Sequence, residues 1–163
     1  MSETIETPNV ENAEKDLLET NDLYEKAKRF AQKAHAGQTD KSGKDYFKAH
    51  ILPVSEMVPD EPWLAEIALL HDVLEDTDVT EADLREKFPD EIVNAVVVMT
   101  HQDGEPYEDY IERIKGNRLA LRVKICDLIQ NMNLNRLLNV TDDDIARVEK
   151  YSRAIATLGK ELI

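Results

Sequence analysis

Apolar residues recur at helical spacing along most of this chain, and capping signals cut the pattern into short segments. Leu23, Ala27, Phe30, Ala31 and Ala34 form one such stripe after a capping pair at Asp22 and Glu25, and Gly37 is placed to end it. The stretch from Gly37 to Tyr46 is polar and reads as a loop. A second helix is expected from about Ile51 to Val58, with Pro53 tolerated in its first turn. Pro59 and Pro62 bracket a turn, and Pro62 can open a third helix that runs to about Glu75. Thr80 and Asp83 offer a cap before ADLREKF. Further helices are expected from about Pro89 to Thr100, from Pro106 to Lys115 before Gly116, and from Arg118 to Asn131. A last one, capped by Thr141 and Asp144, runs to about Leu162. The run Val96-Val97-Val98 would equally suit a strand, and nothing else argues for one. The expected fold class is therefore all-α, a single compact helical bundle with short connections.

The 163 residues suit one domain, and at 42% hydrophobic the chain can bury a core without disulfides, which its single cysteine, Cys126, could not form. Residues 1–20 carry six acids against one lysine with almost no apolar periodicity, and read as an acidic flexible N-terminal arm preceding a domain at 21–163. The N-terminus is wrong for a signal or transit peptide, and no apolar run reaches the roughly 20 residues of a membrane span. A cytoplasmic address is the expectation. A net charge of −14 repels phosphate backbones and argues against general nucleic-acid binding. Any small anionic ligand would need a local cationic patch or a bound metal.

One segment of the third helix stands apart. With His71 set at 0° and about 100° per residue, Glu75 falls near 40°, Asp72 near 100° and Asp76 near 140°. Ile67, Leu70, Val73 and Leu74 fall on the other side, between about 200° and 320°. A solvated acidic face would look similar. Yet ALLHDVLED plunges into apolar sequence, where charge needs a partner, and a divalent cation satisfies imidazole and carboxylate together. His35 and His50 lie upstream. Downstream, Asp127 sits among Ile125, Cys126, Leu128 and Ile129. The plain alternative for Asp127 is a helix-surface pair with Lys124. A set of His50, His71, Asp72 and Asp127 offers two nitrogen and two carboxylate donors, better suited to Mn²⁺, Fe²⁺ or Zn²⁺ than to Ca²⁺. Helical spacing joins His71 to Asp72 but does not by itself bring His50 and Asp127 to them.

The strings HAGQTDKSGKDYFKAH (35–50), LLHDVLEDTDVT (69–80) and VKICDLIQNMN (123–133) resemble the HD-type hydrolase domain of the RelA/SpoT alarmone enzymes, above all its stand-alone small hydrolases. The likeness runs from about Tyr24 to Leu158. It implies that His50, His71, Asp72 and Asp127 are metal ligands and that Glu75 and Asp76 are the catalytic carboxylates. It also implies that Mn²⁺ is the cofactor and that the reaction removes the 3′-pyrophosphate of guanosine polyphosphates. The family's substrate-loop lysine and serine fall on Lys41 and Ser42, and its asparagine on Asn131. At 163 residues no fused synthetase domain is expected.

Three positions depart from the family. Asp40 stands where the family has an arginine that packs on the purine, which opens the base to adenosine as well as guanosine. Ile51 replaces a proline, and Leu128 an arginine. Lys41, Lys44 and Lys48 form the densest basic stretch and read as a phosphate clamp or as solvated lysines. Lys44 or Arg113 could fill the space the missing arginine leaves. His35 reads as a supporting residue rather than a ligand, His101 as a C-terminal helix cap, and Cys126 as core rather than nucleophile. Phe30 and Trp63 read as core. Tyr107, Tyr110 and Arg113 share one helix face and could line a nucleotide pocket or pack. The competing functions are an HD nucleotidase acting on other phosphoesters and a non-catalytic nucleotide sensor.

Overall fold

The segment Leu64–Leu70 is apolar all round except for Glu66, and such a helix is stable only when protein surrounds it. In the computed structural model, which describes residues 10–163, it is the central element. The helices are α1 (Val10–Ala34), α2 (Leu52–Met57), α3 (Leu64–Leu70), α4 (Val73–Asp76), α5 (Glu81–Lys87), α6 (Asp90–Met99), α7 (Tyr107–Ile114), α8 (Arg118–Asn131) and α9 (Asp142–Gly159). α3 packs against α1, α2, α6 and α8, and α9 covers α7 and α8. Ile67, Leu69 and Leu70 have no exposed surface, and burying each contributes about 1.5 to 3 kcal/mol. Among the described residues there is no strand, only an isolated antiparallel bridge between Thr39 and Asp45. The valine run is helical, inside α6, with Val96 buried.

The expected caps at Thr80 and Thr141 are present. Each hydroxyl accepts from the backbone of the third helical residue, Asp83 or Asp144, whose carboxylate reaches back to the cap. The pair Asp22–Glu25 is not a helix start, because α1 already runs from Val10. Residues 10–21 contain no glycine or proline and carry three glutamates and two leucines, so nothing interrupts the helix. The arm expected at 1–20 falls partly on residues 1–9, which lie outside the described residues. From Val10 onward the backbone is helical, so position 20 is no boundary in it.

Two further departures position the site. The helix expected from about Ile51 is preceded by a π-helical turn, Phe47–Ile51, which leads into α2 and buries Phe47, His50 and Ile51. The helix expected to run through Glu75 is broken at His71-Asp72. His71 Nδ1 donates to the Ala68 carbonyl at 2.6 Å, and Asp72 takes φ −103° and ψ −2°. A side chain that occupies a helical carbonyl competes with the ladder there, and α4 begins a new turn at Val73.

Candidate metal centre and catalytic cleft

His50 from the π turn, His71 and Asp72 from the α3–α4 break, and Asp127 from α8 converge. His50 Nε2 lies 3.4 Å from His71 Nε2 and 2.9 Å from Asp127 Oδ1. His71 Nε2 lies 3.2 Å from Asp72 Oδ2 and 3.3 Å from Asp127 Oδ1, and His50 Nε2 lies 3.6 Å from Asp72 Oδ2. The ligand atoms of His50, His71 and Asp72 all lie within 4.8 Å of one another. Donors held about 2.1 Å from one ion at tetrahedral or octahedral angles sit roughly 3.0 to 3.4 Å apart, so the spacing fits a single cation.

The chemistry of the donors fits as well. His71 commits Nδ1 to a carbonyl, which leaves Nε2 facing the cluster and fixes the orientation a ligating imidazole needs. Two imidazole nitrogens aimed at each other over carboxylates need a positive charge between them. Burial disfavours charge on His71, but Asp72 and Asp127 outweigh burial and hold its pKa well above the usual value. Burial likewise opposes ionisation of the two aspartates. His71 pulls Asp72 below the ordinary carboxylate range, and Lys124 together with His71 does so for Asp127.

Asp127 serves two partners at once. Its Oδ2 accepts from Lys124 Nζ at 2.8 Å, while Oδ1 faces the histidines. The Lys124 pair and the cluster are therefore not alternatives. Burial works against the Lys124 charge, but Asp127 holds its pKa well above normal. Asn131 Nδ2 also donates to Asp127 Oδ1 at 3.1 Å.

Glu75 and Asp76 stand at the solvent-facing side. Desolvation raises both pKa values, and the negative charge of Asp72 adds to it. Glu75 accepts from the backbone N–H of His101, so His101 does not act as a cap of α6. α6 ends at Met99, and the His101 ring lies 2.6 Å from the Glu105 carbonyl instead. A cleft of about 230 Å³ beside Glu75 is lined by His101, Tyr107, Tyr110, Lys124, Leu128, Asn131, Lys150 and Tyr151. Burial pushes the Tyr107 hydroxyl up to about 12.

Sequence reasoning missed four contributors. Tyr46 donates to Asp72 Oδ2 at 2.6 Å and stacks on the His50 ring. Gln38 donates to the Asp76 carbonyl at 2.7 Å, and His35 holds Gln38 at 2.8 Å. Lys150 lies 4.1 Å from the Tyr107 ring centre, at the cleft wall. Arg136 is the cation whose charge reaches Asp40. Only the HAGQ string hinted at one of these, Gln38.

The loop lysines sit elsewhere. Lys41 reaches Asp144 at 3.5 Å. Lys44 and Lys48 line a separate hollow with Asp40, Gln130 and Arg136. Ser42 donates from both N and Oγ to Asp40 Oδ1, and Lys44 N donates to the same oxygen. Arg113 is committed to Glu105 and to the carbonyls of Val98 and Thr100, so it is not free to replace the missing arginine. Tyr110 is buried with its hydroxyl on the Met99 carbonyl. Phe30 and Trp63 pack on the core, as read. Cys126 is half-buried, and burial raises its thiol, which suits no nucleophile.

This fold and donor cluster define the class as a helical HD-type domain. No family model matches the chain. A GTP pyrophosphokinase of Myxococcus xanthus is 39% identical over 145 residues, covering 78% of this chain and 19% of the relative. A probable guanosine-3′,5′-bis(diphosphate) 3′-pyrophosphohydrolase of Mycoplasma pneumoniae is 32% identical over 133 residues, covering 78% of this chain and 16% of that protein. One of Borreliella burgdorferi is 38% identical over 90 residues, covering 53% and 13%. The chain thus spans less than a fifth of the length of these curated relatives. The solved structure of a metazoan orthologue of SpoT, described as hydrolysing ppGpp, matches 83% of this chain and 84% of its own at a TM-score of 0.69 and 19% identity, a likeness of fold. Over about three quarters of its length the chain is thus similar to proteins named as a GTP pyrophosphokinase and a probable guanosine-3′,5′-bis(diphosphate) 3′-pyrophosphohydrolase.

Proposed function

We propose that the protein is a metal-dependent pyrophosphohydrolase that removes the 3′-pyrophosphate from (p)ppGpp-like nucleotides. The observation that carries this is the convergence of His50, His71, Asp72 and Asp127, with Glu75 and Asp76 beside them and their pKa values raised. The curated relatives named as 3′-pyrophosphohydrolases support the substrate class. His50, His71, Asp72 and Asp127 would hold the cation, with Mn²⁺ as the proposed ion. When bound it supplies Lewis-acid charge that polarises a phosphoryl oxygen and acidifies water.

The remaining work falls to side chains. Glu75 or Asp76 accepts the proton of the attacking water, a task to which a carboxylate with a raised pKa is better matched. The His101 N–H fixes Glu75, and Gln38 fixes the backbone of Asp76. Lys124, Lys150 and Asn131 line the cleft where an anionic substrate would lie. Lys41, Ser42 and Lys44 are proposed to act on the outer phosphates or the nucleoside. Asp40 favours a site less committed to guanine, since its carboxylate is spent on the loop and supplies no planar cation.

We place the protein in the cytoplasm, acting on nucleotides and not on nucleic acid. No described helix is long and apolar enough to cross a membrane. The test is pyrophosphate release from ppGpp, pppGpp and their adenosine analogues, with Mn²⁺ and with EDTA. Mn²⁺-dependent release from the 3′ position is expected. Release from mononucleotides alone would replace this reading with a nucleotidase, and no release from any substrate with a sensor.

A further inference from the structure

A second concave site lies away from the metal cluster. The exposed face of α1 near its C-terminal end meets the α4–α5 connection and the end of α5 in a hollow of about 540 Å³. Its rim is Lys26, Arg29, Lys33 and Lys87, and its floor is Phe30, Ala34 and Val79. No acid lines it. None of the four cations forms an ion pair among the described residues, although the chain has 34 acids for 20 basic residues. Elsewhere among the described residues Arg85, Arg113, Arg122 and Arg147 are paired, while Arg118, Arg136 and Arg153 are not.

Four like charges around one hollow repel each other, and no carboxylate lines the hollow to offset them. Clustered and unpaired, they create a local positive field against a negative mean. The apolar floor selects further. Phe30 is half-buried and held edge-on by Phe88 at 5.5 Å, so its ring is a fixed wall rather than a flexible one. Lys26 is anchored over the Phe88 ring and on the Lys87 carbonyl, which holds the rim together. Arg29 supplies a planar cation on which a ring can stack.

We propose that this hollow binds an organic phosphate, with an aromatic body on the Phe30–Ala34–Val79 floor and its phosphates among Arg29, Lys33 and Lys87. It is independent of the metal cleft. Val79 stands three residues beyond Asp76, and α1 leads into His35 and Gln38, which hold the Asp76 carbonyl. An occupant would therefore touch both segments that carry the catalytic carboxylate.

The test is a methyl NMR titration of the full chain with ADP and, separately, with inorganic pyrophosphate, in Mg²⁺ to avoid paramagnetic broadening. Methyls of Ala34 and Val79 report the hollow, and those of Leu128 report the cleft. ADP is expected to move Ala34 and Val79 to saturation at submillimolar concentration, with pyrophosphate at least about tenfold weaker. The double variant Arg29→Glu, Lys33→Glu, both exposed, should abolish that response and leave the Leu128 response unchanged. The proposal is overturned if ADP moves Leu128 alone, if the variant retains the Val79 response, or if pyrophosphate binds as tightly as ADP.

Discussion

The metal cluster and the 37–46 loop are both polar and are joined through Gln38 and Tyr46, yet they are held in opposite ways. The cluster draws buried charge from three places far apart in sequence: the π turn, the α3–α4 break and α8. None of its geometry survives without the packed core. The turn at the tip of the loop, 40–44, is held mainly by itself, while Gln38, Lys41 and Tyr46 reach Asp76, Asp144 and Asp72. Asp40 Oδ1 accepts from Ser42 N, Ser42 Oγ and Lys44 N, Asp40 N donates to the Lys44 carbonyl at 2.8 Å, and Gly43 turns the chain at φ 81°. Long-range buried charge is costly to disturb and cooperative with the fold, whereas local capping is replaceable at about 1 kcal/mol per bond.

The sharpest way to break that contrast is Asp127→Ala. In metal-free protein it strands the buried Lys124 and the histidines, and the expected loss is about 3 to 5 kcal/mol in urea unfolding, with metal binding lost as well. An unchanged urea midpoint would mean that the cluster is not part of the fold's stability. Glu75→Ala and Asp76→Ala sit between the two regimes. Both side chains are solvent-facing, so unfolding and metal content should stay near wild type while kcat falls by about 10²-fold or more. Wild-type kcat in both variants would remove them from the mechanism.

The same contrast governs what could be read from the sequence. The caps at Thr80 and Thr141 are local, and so were legible, as were the fold class and the residue types of the cluster. The break at His71 was not, because ALLHDVLED contains no glycine or proline, and the cause is a side chain reaching the Ala68 carbonyl. Tyr46 and Gln38 were missed because their partners, Asp72 and the Asp76 carbonyl, are far along the chain. Lys124 was weighed as the plain alternative to a metal role for Asp127. Only three dimensions reveal that one carboxylate can serve both. Asp40 was read as a missing arginine and an added charge, but its hydrogen bonds are what it supplies.

Asp40 therefore gives a smaller, local effect. Asp40→Ala should accelerate amide exchange at Ser42 and Lys44 and cost about 1 to 2 kcal/mol, with metal affinity unchanged. Asp40→Arg should disorder the loop to the same degree. A lower KM for the guanosine substrate than for the adenosine one, measured against Asp40→Ala rather than wild type, would isolate stacking by the guanidinium from loss of the cap. Equal KM changes for both bases would place base recognition elsewhere.

The smallest effect is on pH. Burial works against ionisation of Asp40, but its bonds from Ser42 and Lys44 and the charge of Arg136 leave its pKa below the ordinary aspartate value. A carboxylate whose pKa is depressed by folding stabilises the loop fully above its unfolded value and ceases to do so as pH falls through the folded value. Protection of the Ser42 and Lys44 amides should hold from neutral pH down to mildly acidic conditions, and then fall as Asp40 protonates. The Asp40→Asn variant, which keeps one acceptor oxygen but no charge, should show weaker protection with no such acid step. The amides near Thr141 offer an internal control. Asp144 is depressed chiefly by its bond to the Thr141 backbone, despite a burial effect in the opposite sense. Its acid step should therefore persist in Asp40→Asn. Loss of the step at both places together would mean that acid loosens the whole helical end rather than titrating one capping carboxylate, and the loop would then lose its claim to be self-contained.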